Sequence, residues 1–294
     1  MGEKGRGERV LSRDIAKLQI VIRKAELELD RIISLLVSKD GQLKDTDVIS
    51  LLIFRKIIEK IDAIFILHDN GHQNTADSIA RDAFENYVYL AFMLDERYEY
   101  RASAYQFQSL QTQLELIDWF DPNNKKAKKL KSLIGNKVGQ MPKQLKERRA
   151  YINKRLLEEP FKNLQVDWKR KEKDKNKGGR YPTWYNISKG KDSIAALCRY
   201  LKMDDEYETM YALFSHEVHS TNALNQLTTV NNQGAFKPIR EDVKESLSLQ
   251  VAISIGVRAN LKILGHFDIQ SVNDYSIWYA KDLPKEVVAE LKME

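Results

Sequence analysis

The sequence predicts an all-α fold: an antiparallel helical bundle with a basic, partly mobile insertion between two helical halves. Three observations carry this. Apolar residues recur close to a 3.6-residue period through most of the chain. The breaks between those stretches are short and rich in Gly, Asn, Asp and Pro. No segment offers several convincing runs of apolar–polar alternation, so a sheet is not expected. The 294 residues read as one helical domain, with residues 12–121 as the N-terminal half, 122–185 as the insertion and 186–294 as the C-terminal half.

Residues 12–37 carry Leu18, Val21, Ile22, Ile32, Ile33 and Leu36 at helical spacing, and Asp40-Gly41 follows as a stop. Asp45-Thr46-Asp47 can cap a second helix that runs to Asp69. Asn70-Gly71 then ends it, because both residues tolerate a positive φ. Asn74 or Thr75 can cap a third helix, Ala76 to Leu94, and a fourth is expected from Glu96 to Trp119, ahead of Asp121-Pro122. Residues 123–134 and 142–158 are expected as Lys-rich helices, the second broken at Glu159-Pro160. Residues 169–180 (KRKEKDKNKGGR) are too charged to bury anything and read as a mobile loop. Tyr181-Pro182-Thr183-Trp184-Tyr185 returns the chain to a core. Helices resume at 192–201 and 204–218, and the second continues, with a break, to Leu227. Residues 228–238 read as a loop, 241–264 as a long apolar helix ended by Gly265, and 284–292 as a short last helix.

Charge is unevenly spread. Residues 122–180 hold 20 Lys and Arg against 6 Asp and Glu, a net of +14, whereas the remainder carries a net of −8. A basic segment on an acidic body suits RNA or a nucleotide as partner through phosphate contacts; the plainer alternative is a solvated insertion. The single cysteine, Cys198, excludes an internal disulfide and a Cys-based zinc site. Residues 1–14 lack the apolar core of a signal peptide, and no run of about 18 apolar residues occurs, so a cytoplasmic protein without a membrane span is expected. Gly2 is followed by Arg6 where myristoylation prefers Ser or Thr.

The chemistry-bearing residues fall on two apolar helices. Arg81 and Glu85 are four apart on the third helix, beside Val88 and Phe92; at its plainest this is an exposed i,i+4 ion pair. Tyr211, Ser215 and His219 repeat every fourth residue beside Leu213, Phe214 and Val218. A hydroxyl one turn before an imidazole, and a phenol two turns before, can fix its tautomer or hold a ligand. One polar site is therefore expected, with Arg81 and Glu85 facing Tyr211, Ser215 and His219. Arg55, Glu59 and Asp62 on the second helix are candidate supports for Arg81 or His219. His68 and His72, and His216 and His219, have ligand-like spacing, with Glu85 or Asp69 as an oxygen donor, but no HExxH or comparable motif joins them. No GxGxxG or GxxxxGK[ST] loop occurs. No metal and no cofactor is expected.

Ile79-Ala-Arg81-Asp-Ala-Phe-Glu85 after the Asn70-Gly71 turn, followed by Tyr211-Ala-Leu-Phe-Ser215-His-Glu-Val-His219-Ser220, resembles the bacterial domain of unknown function 5677 family. The resemblance covers residues 48–94 and 207–227, outside the basic middle. It implies an all-helical fold similar in style to the HEPN group, which includes metal-independent RNases of toxin–antitoxin and phage-defence systems with sites formed across a homodimer. HEPN RNases carry an Arg four to six residues before a His on one helix. Neither His216 nor His219 has an Arg in that window, and Arg258 and His266 are too far apart, with Gly265 expected to end their helix. Arg81 must then supply the cation from another helix.

Three functions follow. The first is a HEPN-like metal-independent endoribonuclease or toxin of a defence or stress system, with His219, Arg81, Glu85, Tyr211 and Ser215 as its catalytic set. The second is a non-catalytic helical module that binds a nucleotide-like or anionic ligand, or a partner protein, through the same residues. The third is a buried polar network that fixes helix register.

Overall fold

The computed structural model describes residues 12–121, 123–134, 143–175, 179–187, 190–218, 223–240 and 246–293. Helices dominate these residues, as expected for an all-α chain, and one two-stranded hairpin interrupts them. The chain forms two compact units, Met1–Glu96 with Ile194–Glu294, and Arg97–Ser193.

The first unit opens with α1 (Arg13–Asp40). Ser12 caps it, its Oγ accepting from the Ile15 amide at 3.3 Å, and Gly41 ends it at φ 73°. Helix α2 (Asp45–Asp69) starts without a side-chain cap; Asp45 and Asp47 lie in its first turn, where carboxylates favour the helix dipole. It stops at the Asn70-Gly71 turn, with Gly71 at φ 73°. Helix α3 (Gln73–Met93) follows at once, with His72 at its N-cap position and no side-chain cap bond, in place of the expected Asn74 or Thr75.

The second unit begins with α4 (Tyr98–Asp118), so the fourth helix belongs with the basic segment that follows it. Helices α5 (Lys125–Ile134), α6 (Lys143–Arg155) and α7 (Phe161–Lys175) complete it. Phe107 of α4 lies 6.5 Å from the Phe161 ring and 5.4 Å from Trp168, with Ile152, Leu156 and Leu164 buried. Trp184 is buried too, as its aromatic setting suggested, and its amide donates to Gln108 Oε1 at 2.7 Å. Residues 169–175, expected as a mobile loop, are helical. The Trp168 indole donates to Glu172 one turn on, Arg170 pairs with Asp167 at 2.7 Å, and Lys171 reaches Asp192 at 2.8 Å. Local charge pairing extends a helix whose anchor is the buried first turn.

Back in the first unit are α8 (Ile194–Tyr200) and α9 (Asp204–Val218). The stretch expected as a loop holds a hairpin, β1 (Leu227–Val230) and β2 (Gln233–Phe236), paired antiparallel with Thr228 opposite Ala235. Its turn is Asn231-Asn232, at φ 52° and 60°. Two left-handed residues match the twist of a tight hairpin, and Asn tolerates that conformation. Helix α10 (Leu247–Phe267) is the centre of the unit, packed against α1, α2 and α3. At Gly256 an added Cβ would lie 2.8 Å from Val21 and 3.1 Å from Ile61, so the missing side chain lets the helices close up. Gly265 does not end α10; the helix runs on two residues, to Phe267. By length and composition α10 could cross a membrane, yet 67% of its apolar window is buried within the fold, as in a core helix. Helix α11 (Ser271–Ile277), a π-helical turn at Trp278–Asp282 and α12 (Leu283–Met293) close the chain.

Candidate functional site

Helices α3 and α9 pack together. The contact follows from sequence: α3 buries Ala80, Ala83, Phe84 and Val88, and α9 buries Met210 and Phe214. This brings Tyr211 against the first half of α3. Its phenol donates to Glu85 Oε1 at 2.6 Å, and the same oxygen lies 3.3 Å from Arg81 Nε. The Arg81 guanidinium lies 4.2 Å from the centre of the Tyr211 ring. Arg81 and Glu85 are half-buried, their side chains 19% and 26% exposed, so the pair is not the solvated surface bridge that i,i+4 spacing alone suggests. Burial pushes the Tyr211 phenol well above its ordinary range and the Glu85 hydrogen bond adds to this, so it stays a neutral donor. Burial opposes charge on Arg81, but Tyr211 and Glu85 outweigh it and hold the guanidinium cationic.

Three of the five expected site residues thus meet. Ser215 follows Tyr211 by one turn of α9, but its side chain lies outside the described residues, as does His219 altogether. Tyr207, one turn before Tyr211, was not singled out. Its ring is 4.3 Å from the Tyr211 ring, and the four-residue spacing of two tyrosines could have shown it. The expected support from α2 is absent for Arg55 and Glu59: both are exposed and pair with each other at 3.8 Å.

His68 is not poised with His72 for a metal. It is buried, and its Nε2 is 2.9 Å from Ser248 Oγ and 3.3 Å from Ser246 Oγ, joining α2 to the start of α10. Burial alone lowers its pKa to about 4, so the ring is neutral. Among the described residues no group of three His, Cys, Asp or Glu side chains could hold a metal. The Cys198 thiol is buried and pushed up to about 12, which removes it as a nucleophile near neutral pH.

A second polar feature lies on the same unit. An open groove of about 450 Å³ runs between α3 and α10. Arg258, Lys262 and His266 line it from successive turns of α10, with Tyr87 from α3 and Leu94 at that helix's C-cap. The Arg258 guanidinium stands 4.8 Å from the Tyr87 ring centre and pairs with Glu206 at 3.3 Å. Sequence reading missed this stripe because it ended the helix at Gly265, although basic residues four apart on an apolar helix are a legible signal.

With α3 and α9 paired through Arg81, Glu85 and Tyr211, the family comparison has a structural counterpart. The model of a family of unknown function, DUF5677, matches residues 47–235. The chain belongs to this family. The DUF5677 match takes in both helices of the cluster and also the basic segment, which the motif resemblance left out. Helix α10, and so most of the groove, lies beyond it. No curated protein and no solved structure matches the chain.

Proposed function

We propose that this DUF5677 protein is a HEPN-like, metal-independent endoribonuclease of a bacterial defence or stress system, with Arg81, Glu85, Tyr211, Ser215 and His219 as its catalytic set. The observation that supports it most is the pose of Arg81. A half-buried guanidinium, braced by Glu85 and backed by the Tyr211 ring, suits a phosphorane whose charge must be met by a preset cation. In the reaction the 2′-oxygen attacks phosphorus as its proton leaves to a base. The 5′-oxygen departs as it gains a proton, leaving a 2′,3′-cyclic phosphate. His219 serves as base or acid, a role worth about 10²–10⁴-fold. Glu85 and Tyr211 hold Arg81, and Ser215 orients His219 or the phosphate. The basic residues of 122–180 draw the RNA backbone, so binding weakens steeply with salt. A homodimer in the cytoplasm is the assembly this reading takes.

The test is RNA cleavage by the full chain in EDTA, read by cyclic-phosphate ends. His219→Ala and Arg81→Ala are expected to lower the rate at least about a hundredfold. Unchanged cleavage in both variants removes the catalytic reading. One observation favours the non-catalytic alternative, a module for an anionic or nucleotide-like ligand or a partner protein: Arg81 already has partners in Glu85 and Tyr211. Ligand-dependent thermal stabilisation without turnover, lost in Arg81→Ala, selects that alternative.

A further inference from the structure

We propose that the groove between α3 and α10 is a binding site for a small amphipathic anion, an aryl phosphate monoester. It is separate from the Arg81–Glu85–Tyr211 cluster and does not depend on the function assigned to that cluster.

The groove has the size of a small-molecule site, about 450 Å³. One wall is cationic. Arg258 and Lys262 are one turn apart on α10, close enough to share the oxygens of one phosphate, and His266 extends the stripe by another turn. Arg258 is set in place before any ligand arrives, by the Tyr87 ring on one side and Glu206 on the other. Lys262 is exposed at the groove. Two carboxylates bear on the stripe: Glu206, which engages Arg258, and Asp47, whose charge reaches His266. The other components are apolar, Leu94 and Leu261.

Gly265 makes the floor. A glycine inside a helix is less favourable than alanine, because its backbone loses more conformational freedom. At Gly256 a close approach of Val21 and Ile61 requires it, but at Gly265 an added Cβ would meet nothing within 4 Å. Packing therefore gives no reason for the missing side chain. The groove does: Gly265 lines it beside Leu261 and Lys262 of the preceding turn, and without a Cβ the backbone of α10 is open to a flat ring. A planar apolar body with a phosphate at one end satisfies both halves of the site.

The experiment titrates the full chain with phenyl phosphate, and separately with inorganic phosphate and with benzyl alcohol, by NMR or calorimetry. Phenyl phosphate is expected to bind at one site and at least about tenfold more tightly than either fragment, since each fragment uses half the groove. Lys262→Ala is expected to weaken it about tenfold, and Gly265→Leu to abolish it by filling the floor, with circular dichroism and melting temperature retained in both. Lys285→Ala, an exposed lysine on α12, is expected to leave it unchanged. No saturation up to about 10 mM, or equal binding by wild type, Lys262→Ala and Gly265→Leu, overturns the proposal.

Discussion

Arg31 and Arg81 begin from the same local pattern and end in different surroundings. Each has a glutamate one turn away on its own helix, and each is drawn to a residue far along the chain. Arg31 is gripped by two carboxylates, Glu28 at 2.7 Å and Asp268 at 2.6 Å, and Lys24 reaches Glu28 at 2.9 Å. Arg81 meets Glu85 at 3.3 Å, and its distant neighbour is the neutral Tyr211, which takes a hydrogen bond to that same glutamate for itself. Short charge-assisted bonds to two anions tie α1 to the end of α10 and make a clamp. Arg81 has a longer bond to an oxygen it shares with Tyr211, and an aromatic ring alongside. Spacing on one helix therefore does not set what a guanidinium meets; the distant partner does.

The largest expected effect tests that contrast directly. Arg31→Met is expected to cost about 2–3 kcal/mol in urea unfolding, because buried Glu28 and half-buried Asp268 lose their shared cation while Lys24 only partly compensates Glu28. Arg81→Met is expected to cost less, about 1 kcal/mol for one longer hydrogen bond in a half-buried pair, while abolishing RNA cleavage. An equal loss of stability in the two variants would mean that Arg81 is also a clamp, and the register-fixing reading of the cluster would stand.

His68 supplies the next effect, through pH. An unfolded imidazole titrates near 6.5, whereas the folded, buried one titrates at about 4. Between those values the unfolded chain binds more protons, so stability rises with pH. The contribution is present above about pH 6.5 and is lost as pH falls toward 4, with a ceiling of roughly 3 kcal/mol. Unfolding free energies measured at intervals across this window should show the slope in wild type and a flatter profile in His68→Gln. An unchanged slope would place the proton uptake elsewhere.

Tyr211→Phe removes one hydrogen bond and keeps the ring against Arg81. The expected cost is about 1 kcal/mol, with Arg81 freer to move, so cleavage should fall through kcat more than through KM. A loss confined to KM would assign the phenol to ligand binding.

How far the sequence foretold these features depends on the range of the interactions. Helices α1, α2 and α4 were legible within a few residues because periodicity and the Asp40-Gly41, Asn70-Gly71 and Asp121-Pro122 stops are local. The Arg81–Glu85–Tyr211 meeting was legible because both helices pair an apolar face with polar residues at one spacing. The hairpin was not, since an Asn231-Asn232 turn carries a weaker signal than Asn-Gly and its strands are four residues long. Residues 169–175 look disordered by composition, and become helical through pairings with Asp167 and Asp192 that composition does not reveal. Asp268 as the partner of Arg31 lies 237 residues away, and no local rule reaches it.

Gly265 is the smallest of the expected effects and the one that most sharpens the distinction between packing and function. If helix propensity alone governed this position, alanine would be the better residue, since a Cβ there meets nothing within 4 Å. Gly265→Ala is accordingly expected to stabilise the fold by about 0.5–1 kcal/mol in urea unfolding. A stabilised variant that also binds phenyl phosphate less tightly would show that the glycine trades stability for an open floor. A destabilised one would show that α10 needs backbone freedom near its end, and the absent side chain would then be explained by the helix terminus and not by the groove.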